Sequence, residues 1–206
     1  MIISLTGFMG CGKSSVGRRL SELLCCSFMD LDDVIVERAG RSIPEIFATD
    51  GEAAFRQMEH DALQDIIASA GRHSVPEAPS HLSMGPSPYP GVGKCLFHTY
   101  ASQPIENSTI VLALGGGAVM QEECERMVHE GTVCIYLKAS VETLLSHLEG
   151  EAAGRPLLNS QSSLRERILD LMAKRSATYE RTAHHIIDTD GKSVEDIAAE
   201  IIGLFS

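Results

Sequence analysis

The chain has 206 residues, 44% hydrophobic and 22% charged, a balance that suits one globular α/β domain and excludes a disordered or fibrous protein. Its formal net charge of −11 sets the surface against nucleic acid and anionic membrane, so an anionic ligand must meet a locally basic pocket. The six cysteines form no Cys-x-x-Cys pair, no apolar run approaches membrane-spanning length, and the first apolar run is too short for a signal peptide; reduced thiols and a cytoplasmic location are expected.

Ile2 to Thr6 is a short β-branched run that stops at Gly7, and a glycine-rich turn then leads into an amphipathic stretch from Ser14 to Leu24, which predicts strand, loop and helix. Ser27 to Asp32 reads as a second strand ending in two acids. Beyond it come helical patterns near 43–49 and 52–69, taken as an acceptor-binding subdomain over about 33–70. From about 72 to 107 the chain carries six prolines among scattered Gly, Ser and His, too irregular for a helix and too long for an ordinary connection, which predicts a surface insert. Thr109 to Leu114 is a third strand ending at Gly115-Gly-Gly, and Thr132–Leu137 and His184–Asp188 are the fourth and fifth, with helical patterns around 140–149, 162–181 and 193–205. Strands alternating with helices need crossover connections, so the expected fold is a three-layer α/β sandwich around a five-stranded parallel sheet in one domain. Ligands of such sheets bind at the carboxyl ends of the strands, where Gly7 onward, Asp30, Asp32 and Gly115 to Gly117 fall.

Gly7-Phe-Met-Gly-Cys-Gly-Lys-Ser14 fits G-x-x-x-x-G-K-[ST] between a strand and a helix, the context in which that loop cradles phosphates. The glycines turn backbone N–H groups inward, the helix N-terminus adds partial positive charge, Lys13 supplies an ammonium for the β- and γ-phosphates, and Ser14 supplies a hydroxyl for Mg²⁺. Gly10, Cys11, Gly12, Lys13, Ser14 and Ser15 are the expected nucleotide-binding residues. Cys11 reads either as a small space-filling residue or as a thiol activated by the helix N-terminus. No Asn-Lys-x-Asp guanine signature is present, nor an apolar run ending in Asp-Glu, which leaves a metabolite or nucleotide kinase.

Six further blocks resemble the shikimate kinase family: Asp30-Leu-Asp32, Gly40-Arg-Ser-Ile-Pro-Glu-Ile-Phe47, Gly51-Glu-Ala-Ala-Phe-Arg-Gln-Met-Glu59, Leu114-Gly-Gly-Gly-Ala118, Arg155-Pro-Leu-Leu158 and Lys174-Arg-Ser-Ala-Thr-Tyr179. The resemblance spans nearly the whole chain outside the insert and implies a nucleoside-monophosphate-kinase-like P-loop fold, ATP and Mg²⁺ as cofactors, a monomeric state, and transfer of the γ-phosphate to the 3-hydroxyl of shikimate. It further implies that Asp32, at the end of the second strand, binds the acceptor hydroxyls and accepts a proton, and that Asp30 holds Mg²⁺ through water. Arg56 and Arg175 grip the substrate carboxylate, a task for a planar five-donor fork, and Gly115, Gly116 and Gly117 let backbone approach the same ligand. Arg155, in a lid over about 149–160, neutralises charge on the transferred phosphoryl group; with Lys13 and Asp32 it completes the expected catalytic set.

Each assignment has a plainer reading. Asp30 and Asp32 also suit a solvated strand end, Arg56 and Lys174 a solvated helix face, and the glycine triplet a simple helix start. Rival functions are another metabolite kinase on the same scaffold, such as a gluconate or nucleoside monophosphate kinase, and a non-catalytic nucleotide-binding regulator. A nucleotide acceptor asks for stacking aromatics, of which the chain has 5%, with no Trp.

Overall fold

Strand β1 (Ile2–Thr6) buries all five of its side chains, which means that both of its faces are covered. It is the central strand of a sheet in the computed structural model, which describes residues 1–70, 109–148 and 164–205. The expected insert, the expected lid and Arg155 lie outside these residues.

The remaining strands are β2 (Ser27–Asp30), β3 (Ile110–Ala113), β4 (Val133–Lys138) and β5 (His185–Asp188), in the spatial order β2-β3-β1-β4-β5 and all parallel. The register runs Leu5 beside Ala113 on one side and Ile135 on the other. Because β1 connects toward β2 and β3 toward β4, the chain leaves two adjacent strands in opposite directions, and the loops after β1 and β3 flank a cleft.

Helix α1 (Lys13–Leu24) lays Val16, Leu20 and Leu24 on the core and packs with α8 (Val194–Gly203), which contributes Ile197, Ala198 and Ile201. Between β2 and β3 come α2 (Leu31–Ala39), α3 (Ile43–Thr49) and α4 (Gly51–Ala70). After β3, a 3-10 turn at Ala118–Met120 leads to α5 (Glu122–Gly131); α6 (Val141–Leu148) follows β4, and α7 (Leu164–Thr182) precedes β5. Tyr179 of α7 is buried against Tyr136 of β4, ring centroids 5.3 Å apart, so α7 is pinned to the sheet.

Two elements differ from the sequence reading. Strand β2 stops at Asp30, and Asp32 lies in the first turn of α2 rather than at a strand end. The cause is Asp30 itself: its backbone is extended, and its carboxylate accepts the Asp32 N–H at 3.1 Å, capping a helix whose buried anchors are Leu31 and Ile35. Helix α5 was also not foreseen; only Cys124 and Val128 bury from it, too few to give a periodic signal among its glutamates.

Candidate active site

The phosphate-binding loop is built by exclusion of side chains. Gly7 sits at φ 143°, and a Cβ there would stand 2.6 Å from the Leu137 carbonyl oxygen of β4; Gly12, at φ 91°, is the left-handed cap from which α1 starts. Lys13 folds back under the loop, where Nζ donates to the Gly7 carbonyl at 3.0 Å and to that of Phe8 at 2.8 Å. The ammonium is thus held inside the loop by backbone. Cys11 is buried with its sulfur behind the loop, near Gly7 and 3.8 Å from Lys13 Nζ, which fits the space-filling reading. Ser14 Oγ donates to Asp30 Oδ2 at 2.6 Å, tying α1 to the end of β2. Above the loop opens a cavity of about 590 Å³, walled on one side by Gly10, Lys13, Ser14, Ser15 and His147 and on the other by Asp30, Asp32, Gly115 and Gly116.

The second wall is organised by the glycine triplet after β3. A Cβ on Gly115 would stand 2.8 Å from Asp32 Oδ1 and 2.9 Å from Glu59 Oε1, and one on Gly117 would stand 2.5 Å from Arg56 Nη1. The Gly116 carbonyl accepts from Arg175 Nη1 at 3.2 Å and from the Tyr179 hydroxyl. Three consecutive residues without side chains therefore let two carboxylates and two guanidinium groups converge. The loop after β3 also touches the phosphate loop, since a Cβ on Gly116 would be 3.2 Å from the Met9 nitrogen.

Arg56 is not on a solvated face. Its Nη1 donates to Glu59 Oε2 at 2.5 Å and its Nη2 to Glu52 Oε1 at 3.1 Å, which leaves part of its five-donor fork for a ligand. Glu59 is 1% exposed. Burial pushes its carboxyl up to about 7, more than the Arg56 guanidinium draws it down; Asp32 adds to the rise and Arg175 opposes it. Arg175 is buried, whereas Lys174 reaches outward to Asp170 at 2.8 Å as a helix-surface pair.

The structure thus gathers Gly10, Lys13, Ser14, Asp30, Asp32, Arg56, Gly115, Gly116, Gly117 and Arg175 around the carboxyl ends of β1, β2 and β3. Sequence reasoning gave no role to Glu59, although its spacing from Phe55, Leu63 and Ile66 puts it on the buried face of α4. A glutamate on such a stripe is a readable sign of a buried charge pair. It also missed Tyr179 and His147, whose Nδ1 lies 2.8 Å from the Gly10 carbonyl.

A family model described as shikimate kinase matches residues 9–75 and 98–205, passing over 76–97 within the expected insert. A shikimate kinase of Thermus thermophilus is 36% identical across 97% of this chain and 87% of its own length. One of Geobacter sulfurreducens is 37% identical over the same shares. Among solved structures, the shikimate kinase of Acinetobacter baumannii in complex with shikimate superposes with a TM-score of 0.76 at 28% identity, covering 98% of this chain and 91% of that one. A phosphate loop facing a glycine-lined cluster of two carboxylates and two arginines, carried on a sheet of this order and matched in sequence over nearly its whole length, places the chain in the shikimate kinase family.

Proposed function

We propose that this chain phosphorylates the 3-hydroxyl of shikimate with ATP, acting as a cytoplasmic monomer. The observation that carries the proposal is the convergence of Asp32, Glu59, Arg56 and Arg175 on Gly115–Gly117, next to the phosphate loop. An acceptor with a carboxylate at one end and hydroxyls at the other suits that arrangement: the arginines take the anion and Asp32, on the cavity wall, takes the hydroxyls. Asp32 then positions the attacking hydroxyl and accepts its proton. Lys13 turns from the Gly7 and Phe8 carbonyls toward the transferring phosphate, where charge develops. Arg155 is the further cation assigned to that charge.

The Ser14 hydroxyl and the Asp30 carboxylate, 2.6 Å apart, are hard oxygen donors of the kind Mg²⁺ takes. Among the described residues no group of three or more His, Cys, Asp or Glu side chains gathers to hold a metal, which suits an ion bound mainly by substrate phosphates and water. When bound, Mg²⁺ supplies charge neutralisation of the phosphates.

The chain from Asp33 to Ala70 serves as the acceptor-binding part, since it delivers Arg56 and Glu59. A coupled ADP-release assay offering shikimate, gluconate and AMP in parallel tests the reading. Turnover with shikimate alone is the expected result, and preference for gluconate or AMP refutes it.

A further inference from the structure

The middle of the phosphate loop is held from outside the loop. Gly10 has φ 81°, a conformation that does not by itself fix the direction of the following peptide, and no side chain of its own packs the loop in place. Two residues of α6 do so instead. Leu148 fills the space above Gly10, so that a Cβ there would stand 2.9 Å from its Cγ. His147 reaches from an exposed position on the helix to place Nδ1 2.8 Å from the Gly10 carbonyl oxygen, across 137 residues of sequence. A carbonyl only accepts, so Nδ1 carries the proton.

Helix α6 is itself anchored beyond the sheet edge. The Thr143 hydroxyl donates to Asp190 Oδ1 at 2.6 Å and the Ser140 N–H to the same oxygen at 3.0 Å, and Arg165 of α7 pairs with Glu142 at 2.8 Å. The imidazole is therefore fixed with respect to the sheet that carries the loop. On the other end of the same peptide unit, the Cys11 N–H makes only a long bond of 3.3 Å to the Phe8 carbonyl, so the peptide leans on its carbonyl side for direction. A phosphate demands N–H groups toward it and carbonyls away from it, and a flipped Gly10 carbonyl would set an oxygen dipole against the anion.

We infer that His147 is a positioning residue for the nucleotide: its Nδ1–H holds the Gly10 carbonyl away from the phosphates, keeps the Gly10–Cys11 peptide in the phosphate-accepting direction, and thereby raises affinity for the nucleoside diphosphate part of the substrate. This deepens the kinase reading and rests on it. It also differs from direct contact with the ligand, which would use the distal ring nitrogen, Nε2.

Titration calorimetry of the full-length chain with Mg·ADP, and separately with shikimate, tests the assignment on three variants. His147→Ala is expected to weaken ADP about fivefold, the equivalent of one neutral hydrogen bond of about 1 kcal/mol. His147→Asn, whose amide nitrogen falls where Nδ1 stands, should bind ADP within twofold of the parent. His147→Gln, whose amide reaches instead toward the Nε2 position, should resemble alanine. Shikimate affinity and melting temperature should stay unchanged in all three, because the side chain is exposed and stands on the wall of the cavity opposite Asp32 and the glycine triplet. The assignment is overturned if alanine binds ADP as the parent does, if Gln restores binding and Asn does not, or if shikimate affinity falls in step with ADP. A parent chain that binds ADP but transfers no phosphate to shikimate refutes the kinase reading, while the ADP series still decides the role of His147.

Discussion

Glu59→Gln isolates the consequence of burying a carboxylate beside the proposed seat of the acceptor's own. The Glu59 carboxyl rises from 4.5 to about 7 on folding, so between those values the folded chain holds a proton that the unfolded chain has released. By linkage, stability then falls as pH rises through this window and levels off above about 7. At about 1.4 kcal/mol for each pH unit the full loss is about 3 kcal/mol, several degrees in melting temperature for a chain of this size. Gln keeps the shape and still accepts from Arg56, but it cannot titrate, so its melting temperature should lack that decline between pH 5 and 7.5. The same charge acts on the acceptor. A carboxylate brought to Arg56 adds negative charge next to Glu59, so binding favours the protonated form and is accompanied by proton uptake. Shikimate affinity should therefore drop up to about tenfold between pH 6.5 and 8 in the parent chain and stay flat in the variant. Calorimetry in two buffers of different ionisation enthalpy reads the proton directly. An affinity that rises with pH, or a variant that follows the parent's curve, would falsify this account of Glu59.

Gly117→Ala should raise the KM for shikimate about tenfold, about 1.4 kcal/mol, with the KM for ATP unchanged. Gly117 has φ −117°, open to alanine, so the effect comes from a Cβ placed 2.5 Å from Arg56 Nη1, and an unaltered KM means that the guanidinium moves aside without loss. Lys13→Met keeps the buried stem and removes the ammonium held at the Gly7 and Phe8 carbonyls; kcat should fall about 100- to 1,000-fold with the circular dichroism spectrum preserved, and normal turnover removes Lys13 from the mechanism. Asp32→Asn should lower kcat about 100-fold or more while ATP binding holds within about twofold, since the bond from the Asp32 N–H to Asp30 that starts α2 survives the substitution; a defect confined to ATP binding contradicts the assignment.

The fold was readable where apolar residues were dense and punctuated. Ile2–Thr6 before Gly7, and Ile110–Ala113 before Gly115, are short runs whose buried character and abrupt stops mark parallel strands ending at a ligand cleft. The phosphate loop was readable because its chemistry lies in contiguous residues. Asp32 was assigned to a strand because Ser27 to Asp32 looks continuous, while the structure turns at Asp30 through a local side-chain cap that competes with the strand. The least legible parts depend on contacts distant in sequence. That Gly117 must lack a side chain follows from Arg56 standing 61 positions earlier, and the hold on Gly10 comes from His147; neither pairing leaves a trace in local pattern.

Three cations gathered at the site among the described residues share a physical feature that bears on selectivity. Lys13 rests on the Gly7 and Phe8 carbonyls, Arg56 on Glu52 and Glu59, and Arg175 on the Gly116 carbonyl, so each is held in place within a chain whose overall charge is −11. Fixed donors bind an arriving anion without first losing side-chain freedom, a loss of up to about 2 kcal/mol for a long flexible arginine. The acceptor wall, however, also contains Asp32 and Glu59, both within 3 Å of the same Cβ position at Gly115. On the proposed binding of a single carboxylate between the two arginines, one proton taken onto Glu59 would balance its charge. A phosphate dianion brings twice the charge against the same two acids. On the proposed reading the wall disfavours a nucleoside monophosphate as acceptor by its charge, and the phosphates of ATP would lie at the loop of backbone N–H groups across the cavity, which carries Lys13.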